Sequence, residues 1–169
     1  VFLLMAEVVL SLGTNVGERE KWMRLMLEHV GAILDAPGKH SRLMETSPLG
    51  VPSGHGWYLN CIVLGEYNGT PLELLEQCFR IERELGRTHK GLLKPRTADI
   101  DILLFNDLII SEERLQVPHP AILQRRFCLE GLAEVAPRMR HPMVERTFEE
   151  LLAAMPQDVA DQEILFRTR

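Results

Sequence analysis

The sequence predicts an α+β domain, an antiparallel sheet with helices packed on it and with a hairpin and C-terminal helices added. Three observations carry that expectation. Apolar residues recur at helical spacing in two separate stretches, about 18–34 and 70–86. Runs rich in β-branched and aromatic residues precede and follow each stretch. Glycine and proline pairs punctuate the boundaries between the two kinds of segment.

Taken in order, Glu7 to Leu12 reads as a strand running into Gly13-Thr14-Asn15-Val16-Gly17, a turn with two glycines. From about Glu18 to Leu34 a helix places Trp22, Leu25, Met26, Val30 and Ile33 on one face, and Pro37-Gly38 breaks it. A short strand follows over Ser41–Glu45, and 47–56 is too rich in Pro and Gly for regular structure. Trp57 to Tyr67 is a strand ended by the turn Asn68-Gly69. Thr70 caps the next helix, with Pro71 at its first position, and Leu72, Leu75, Phe79 and Leu85 carry it to about Gly86. Residues 87–97 lack apolar periodicity and read as a loop. Ala98 to Phe105 is a strand, and Leu108–Ile110 and Leu115–Val117 flank a turn. Helical patterns cover about Pro120–Val135 and Thr147–Met155, and the polar tail from Pro156 is expected to be loosely held. The order β-α-β-β-α-β is the ferredoxin-like signature. One domain is expected over 1–169, with its core at about 7–142 and a C-terminal helix and tail over 143–169.

A chain of 169 residues suffices for one buried core. Its net charge of −5 argues against the broad basic face of a nucleic-acid binder but leaves room for a local cationic pocket. Cys61, Cys78 and Cys128 are far apart with no CxxC pair, so buried reduced thiols are expected rather than a zinc site or disulfides. The apolar run Val1–Leu12 is interrupted by Glu7, has no basic flank and falls below the ~20 residues of a membrane span. Met5 is an alternative start, and a cytoplasmic protein is expected.

The chemistry centres on Asp99 and Asp101. Two apart in a strand, their carboxylates share a face, roughly 6.5 Å apart at ~3.3 Å per residue, while Ile100 and Ile102 face the core. Two Mg²⁺ ions ~3.5–4 Å apart fit such a pair. A solvated strand face would show the same DxD, but the preceding residues favour the metal. Arg87, Lys90, Lys94 and Arg96, with His89, fall within 87–96, and no acidic residue does. Mg²⁺ shares its shell with phosphate oxygens, and guanidinium and ammonium groups take the remaining charge. A loop carrying those cations also suits a lid over a nucleotide. His119, fixed between Pro118 and Pro120 near Arg114, Arg125 and Arg126, can hydrogen-bond a phosphate when neutral or offset its charge when protonated. Tyr58 and Asn60 alternate onto one strand face, an aromatic plane beside an amide, and Phe127 can supply a second wall for a flat heteroaromatic ring. The Gly13–Gly17 segment lacks the GK[ST] of a phosphate loop and reads as a tight turn whose backbone can touch a ligand.

The ordered set Ser11–Gly17, Ser47–Gly50, Tyr58–Asn60, Ile81-Glu82 with Gly86-Arg87, Pro95–Asp101, and Val117–Pro120 with Arg125 and Phe127 closely resembles the 6-hydroxymethyl-7,8-dihydropterin pyrophosphokinases of folate biosynthesis. The resemblance runs from about Glu7 to Pro142. It implies a ferredoxin-like monomer that transfers the β,γ-pyrophosphoryl group of ATP to the pterin hydroxymethyl oxygen with two Mg²⁺ ions. By that resemblance Asp99 and Asp101 hold both metals, and Arg96, Arg87 and His119 join them in catalysis. Lys90, Arg96, Ile102, Arg114, His119 and Arg125 would meet ATP. Tyr58 and Phe127 would sandwich the pterin, whose edge Asn60, Thr46, Ser47 and the Gly13 and Leu49 backbones would read.

Two rival classes share parts of this pattern: a non-catalytic nucleotide-binding module, and a two-metal nuclease, which needs a third carboxylate (Glu82 is the first candidate) and an extended basic face. Two positions depart from the family pattern, His89 where a second arginine is frequent and Leu93 where a tryptophan is common. Pyrophosphoryl transfer depends on positioning and fixed charge, so His89 predicts a slower or pH-sensitive enzyme. A pH–rate profile left unchanged by His89→Arg would count against that expectation.

Overall fold

Strand β1 (Ala6–Thr14) lies inside the sheet, one strand from its edge, and all but one of its nine residues are buried. It pairs antiparallel with β4 (Tyr58–Tyr67) on one side and β5 (Asp99–Phe105) on the other. The computed structural model describes residues 5–49, 56–86 and 97–168. Beyond β4 the sheet continues through β2 (Ala36–His40), β3 (Met44–Thr46) and, at the far edge, β8 (Ile164–Phe166). Helices α1 (Arg19–Ile33) and α2 (Pro71–Glu84) follow β1 and β4, the antiparallel βαββαβ arrangement expected from the element order. Thr70 caps α2 in a full capping box, the Glu73 amide donating to the Thr70 hydroxyl at 3.2 Å and the Thr70 amide to the Glu73 carboxylate at 2.7 Å.

Both faces of the sheet are covered. On one, Val8, Leu10, Leu12, Ile100 and Ile102 pack against Met23, Met26, Val30, Leu74 and Ile81 of α1 and α2. On the other, Val9, Met44, Ile62, Leu103 and Leu104 pack beneath α3 (Ala121–Gln124), α4 (Arg126–Val135) and α5 (Phe148–Ala153). A register shift between Val9 and Leu10 leaves Leu103 as an extra residue in β5, so Leu103 and Leu104 both join the second core. The hairpin is β6 (Ile110–Ser111) with β7 (Gln116–Val117). Cys61, Cys78 and Cys128 are buried and unbridged, and burial pushes the Cys61 thiol up to about 11. Among the described residues no helix is long and apolar enough to cross a membrane.

Four expectations are corrected. The first strand does not stop at Leu12, because Gly13 and Thr14 still pair with Asn60 and Leu59. The strand expected at Ser41–Glu45 is instead two segments, β2 and β3, that share the same edge of β4. Between them Ser41 maintains the ladder, its amide donating to the Ile62 carbonyl at 2.8 Å and its hydroxyl accepting the Ile62 amide at 2.9 Å. Gly38 lies where a Cβ would stand 2.2 Å from the Leu64 carbonyl oxygen, so Pro37-Gly38 ends the helix but still belongs to a strand. The helix expected over Pro120–Val135 breaks at Arg125, whose backbone is extended (φ −122°, ψ 119°). The tail from Pro156 is not loose. It forms α6 (Gln157–Ala160) and then β8, which pairs with β3 from Met44↔Phe166 to Thr46↔Ile164. Arg126 explains both of the last two corrections. Its amide donates to Gln162 Oε1 at 3.0 Å, and its guanidinium donates to the carbonyls of Ala160 and Gln162. Those partners satisfy the start of α4 and tie the tail down together.

His141 is 3% exposed, with Nδ1 accepting the Met143 amide at 3.2 Å and the ring edge-on to Phe148. Burial holds it below its ordinary value of 6.5. The unfolded chain therefore takes up a proton near pH 6.5 that the folded chain refuses, so this contribution is full above that pH and lost below it. Denaturant unfolding at pH 7 and 5.5 should show a fall in stability that is smaller in His141→Phe. That variant should also lose about 1–3 kcal/mol at pH 7 through the orphaned Met143 amide.

Candidate active site

The second face of the sheet is apolar only where α4 and α5 lie on it. Further along the same strands the inward positions become Ser11 and Gly13 on β1, Tyr58 and Asn60 on β4, and Asp99 and Asp101 on β5. The register sets them side by side. Ser11 faces Asp101, while Gly13 lies between Asp99 and Asn60. A cavity of about 320 Å³ opens over them, walled by the start of α4 with Phe127, by Arg125 and Gln124, and by His119 and Leu49.

The floor is shaped by what Gly13 lacks. A Cβ there would stand 2.8 Å from Asn60 Oδ1. Asn60 is 4% exposed, and its amide nitrogen donates to Thr46 Oγ1 at 2.7 Å. That bond fixes the amide and leaves Oδ1 as an acceptor above the glycine. Tyr58 and Phe127 border the same space, and the Arg125 guanidinium lies 5.9 Å from the Phe127 ring centroid. The extended Arg125 backbone, where the helical pattern is interrupted, brings this pair to the cavity wall.

His119 is held from two sides. Its amide donates to the Leu103 carbonyl at 2.9 Å, and its Nδ1 accepts the Ala121 amide at 3.0 Å. The accepting role of Nδ1 places the imidazole proton on Nε2, available to a ligand oxygen. A second cavity of about 280 Å³ lies on the other side, lined by Ile102, Arg114, Phe79 and Gln116, and it shares Asp101, His119 and Pro120 with the first. Arg114 reaches α2 there and pairs with Glu76. Two cavities therefore meet at one wall, made chiefly by an aspartate and a histidine.

Most of the expected site residues are brought together. Gly13, Leu49, Tyr58, Asn60, Asp99, Asp101, His119, Arg125 and Phe127 line the first cavity. Ile102 and Arg114 line the second, with Ile102 also buried in the core. Thr46 stands behind Asn60, and Ser47 borders a narrow neighbouring cleft with Thr46 and Phe127. Arg87, Lys90 and Arg96, together with His89, Leu93 and Lys94, lie outside the described residues. Glu82 does not face the aspartates. It is 2% exposed on α2, behind the sheet, and its Oε1 accepts the Ile100 amide at 3.0 Å. That removes the third carboxylate a nuclease reading asked for and makes Glu82 a support for the strand that carries the aspartates. Gln124 and Ala121 also line the first cavity, and nothing in their residue types marks them in the sequence. A larger hollow of about 650 Å³ lies at the Ser41–Leu43 break. On its rim Arg42 pairs with Glu134, while Arg167 pairs with Glu20 and Glu45 outside it, and it shares no residue with the two cavities.

The family described as 7,8-dihydro-6-hydroxymethylpterin-pyrophosphokinase (HPPK) matches residues 9–137. A 2-amino-4-hydroxy-6-hydroxymethyldihydropteridine pyrophosphokinase of Bacillus subtilis (strain 168) is 42% identical over 130 residues, 75% of each chain. The Aquifex aeolicus (strain VF5) protein of that name is 34% identical over 146 residues, covering 86% of this chain and 90% of its own. Among solved structures, wild-type Plasmodium falciparum HPPK-DHPS with pteroate superposes with a TM-score of 0.70 at 16% identity. That match covers 88% of this chain but 44% of the longer one, and it bears on the fold alone. With the family match spanning residues 9–137 and the two relatives covered over 75% and 90% of their lengths, the chain belongs to the 7,8-dihydro-6-hydroxymethylpterin-pyrophosphokinase family.

Proposed function

We propose that this chain transfers pyrophosphate from ATP to the hydroxymethyl oxygen of 6-hydroxymethyl-7,8-dihydropterin, releasing AMP, in folate biosynthesis. Family membership supports the reaction. The observation that carries it at the site is the pair of cavities meeting at Asp101 and His119. A flat acceptor fits the first, between Tyr58 and Phe127 over Gly13, with Asn60 Oδ1 accepting from its edge. Thr46 holds that amide in place, and Ser47 and Leu49 border the mouth. The nucleotide fits the second cavity, beside Ile102 and Arg114, with its phosphates towards the shared wall.

Asp99 and Asp101 are the residues that would hold two Mg²⁺ ions. Their all-oxygen donor set suits a hard cation, and among the described residues no group of three or more His, Cys, Asp or Glu could hold a metal. Mg²⁺ is characteristically bound by one or two carboxylates with substrate phosphates and water filling its shell. Bound there, it would neutralise charge on the transferring phosphoryl oxygens. His119 Nε2–H donates to a phosphate oxygen from a fixed position, and Arg125 lies close enough to the wall to share that charge. Arg114 can leave the exposed Glu76 for the nucleotide, since such a surface pair is held by only ~0–1 kcal/mol. Arg96, Arg87 and Lys90 complete the cationic set in this reading. It also takes residues 1–169 as a single domain acting as a cytoplasmic monomer, whose mass in solution sedimentation can read.

The decisive assay supplies ATP, Mg²⁺ and the pterin and follows AMP. Release that requires the pterin supports the kinase, whereas tight ATP binding without AMP would favour a non-catalytic module. Asp99→Ala and Asp101→Ala should each lower kcat at least about a hundredfold, and near-normal turnover in either would sink the metal assignment. Gly13→Val should raise the acceptor KM about tenfold or more, roughly 1.4 kcal/mol, while ATP affinity by calorimetry stays unchanged.

A further inference from the structure

Behind the acceptor cavity, on the opposite face of β3 from Thr46, sits an ion-pair group outside the site described above. Glu45 lies next to Thr46 in β3, where it faces Leu59 of β4 and Leu165 of β8. Its Oε1 accepts from Arg19 Nη2 at 2.8 Å and also pairs with Arg167. Arg19, the first residue of α1, uses its other terminal nitrogen on the Trp57 carbonyl at 2.9 Å. Arg167, just past β8, extends the group to Glu20 at 2.9 Å. The Glu45 and Arg19 side chains are only 18% and 24% exposed, so solvent screens this pair less than a surface one.

The consequence is geometric. The Trp57 carbonyl belongs to the peptide that enters Tyr58, the residue that walls the cavity. On the other face of the same strand, Thr46 holds Asn60. Strand β3 therefore grips the start of β4 twice, through a hydroxyl on the cavity side and through a carboxylate and a forked guanidinium behind it. We propose that Glu45 and Arg19 are positioning residues for the acceptor, a clamp that fixes the Trp57–Asn60 segment and ties it to the C-terminal strand through Arg167. The proposal rests on the reading that the pterin binds against Tyr58 and Asn60. Hydrogen bonds from Arg167 and Arg19 also keep the Glu45 carboxyl below its ordinary range, so it accepts as a carboxylate near neutral pH.

Two variants test the clamp, Glu45→Gln, which removes the charge, and Arg19→Lys, which keeps the charge but loses the fork spanning Glu45 and Trp57. Hydrogen exchange should quicken about tenfold at residues 57–60 in both while the β1–β5 amides are unaffected. The acceptor KM should rise about fivefold, with kcat and the ATP KM within about twofold of the unaltered chain. Unchanged exchange at 57–60, or normal acceptor KM in both variants, would overturn the proposal. So would wild-type behaviour of Arg19→Lys beside a defective Glu45→Gln, which would indicate a role for charge alone. If the unaltered chain released no pterin-dependent AMP, the reaction reading would fail, and exchange at 57–60 would still decide whether the clamp exists.

Discussion

The placement of the cavity floor depends on the register of β1 between its two neighbours. Gly13 opposite both Asp99 and Asn60, and Ser11 opposite Asp101, put the aspartates, the glycine floor and the amide acceptor on one face. A slip of one residue in β5 would exchange the two faces, burying Asp99 and Asp101 and exposing Ile100 and Ile102. Each isoleucine contributes ~1.5–3 kcal/mol by burial, and an unpaired buried carboxylate costs several kcal/mol. The core therefore enforces the register that the site needs. Glu82 adds to this from behind, taking the Ile100 amide between the two aspartates. Stability and function draw on the same strand alignment here.

The second requirement is where the helical cover ends. Gly131 lets α4 lie close on β4, since a Cβ there would stand 2.1 Å from Ile62 Cγ1. Close packing over Ile62 gives way at the start of α4, and the polar stretch of sheet beyond it becomes the cavity floor. The extended Arg125 sets that limit and places Phe127 and its own guanidinium at the edge. His119, pinned to Leu103 and Ala121, then stands at the wall that the two cavities share. With little covalent chemistry for a protein to do in phosphoryl transfer, such fixed placement is the main thing side chains can contribute.

Much of this was readable in the sequence, for physical reasons that differ by residue. The alternation Asp99-Ile100-Asp101-Ile102 states its own two faces, and Tyr58 and Asn60 do the same on β4. Thr70-Pro71 marks a helix start by local chemistry alone. What escaped was non-local. The break at Arg125 has no glycine or proline to signal it, and the partners that hold the neighbouring Arg126 lie some 36 residues away in the tail. Strand β8 pairs with β3 and packs Ile164 and Phe166 against the second core, but three such residues in an otherwise polar tail read as loose. The role of Gly13 as floor rather than turn likewise depends on Asn60 arriving from a different strand. Distant partners, rather than weak local preferences, account for these differences.

The central claim is that metal, nucleotide and acceptor would meet at the shared wall of Asp101 and His119, with Asp99 beside it on the strand. Diffraction from crystals grown with Mn²⁺ and a non-hydrolysable ATP analogue tests it most directly through the anomalous signal. The account predicts peaks within direct coordination distance of both carboxylates, beside the phosphates and facing the cavity over Gly13. Peaks at other acidic groups, such as Glu76 and Glu113, with the two aspartates unengaged, would contradict it.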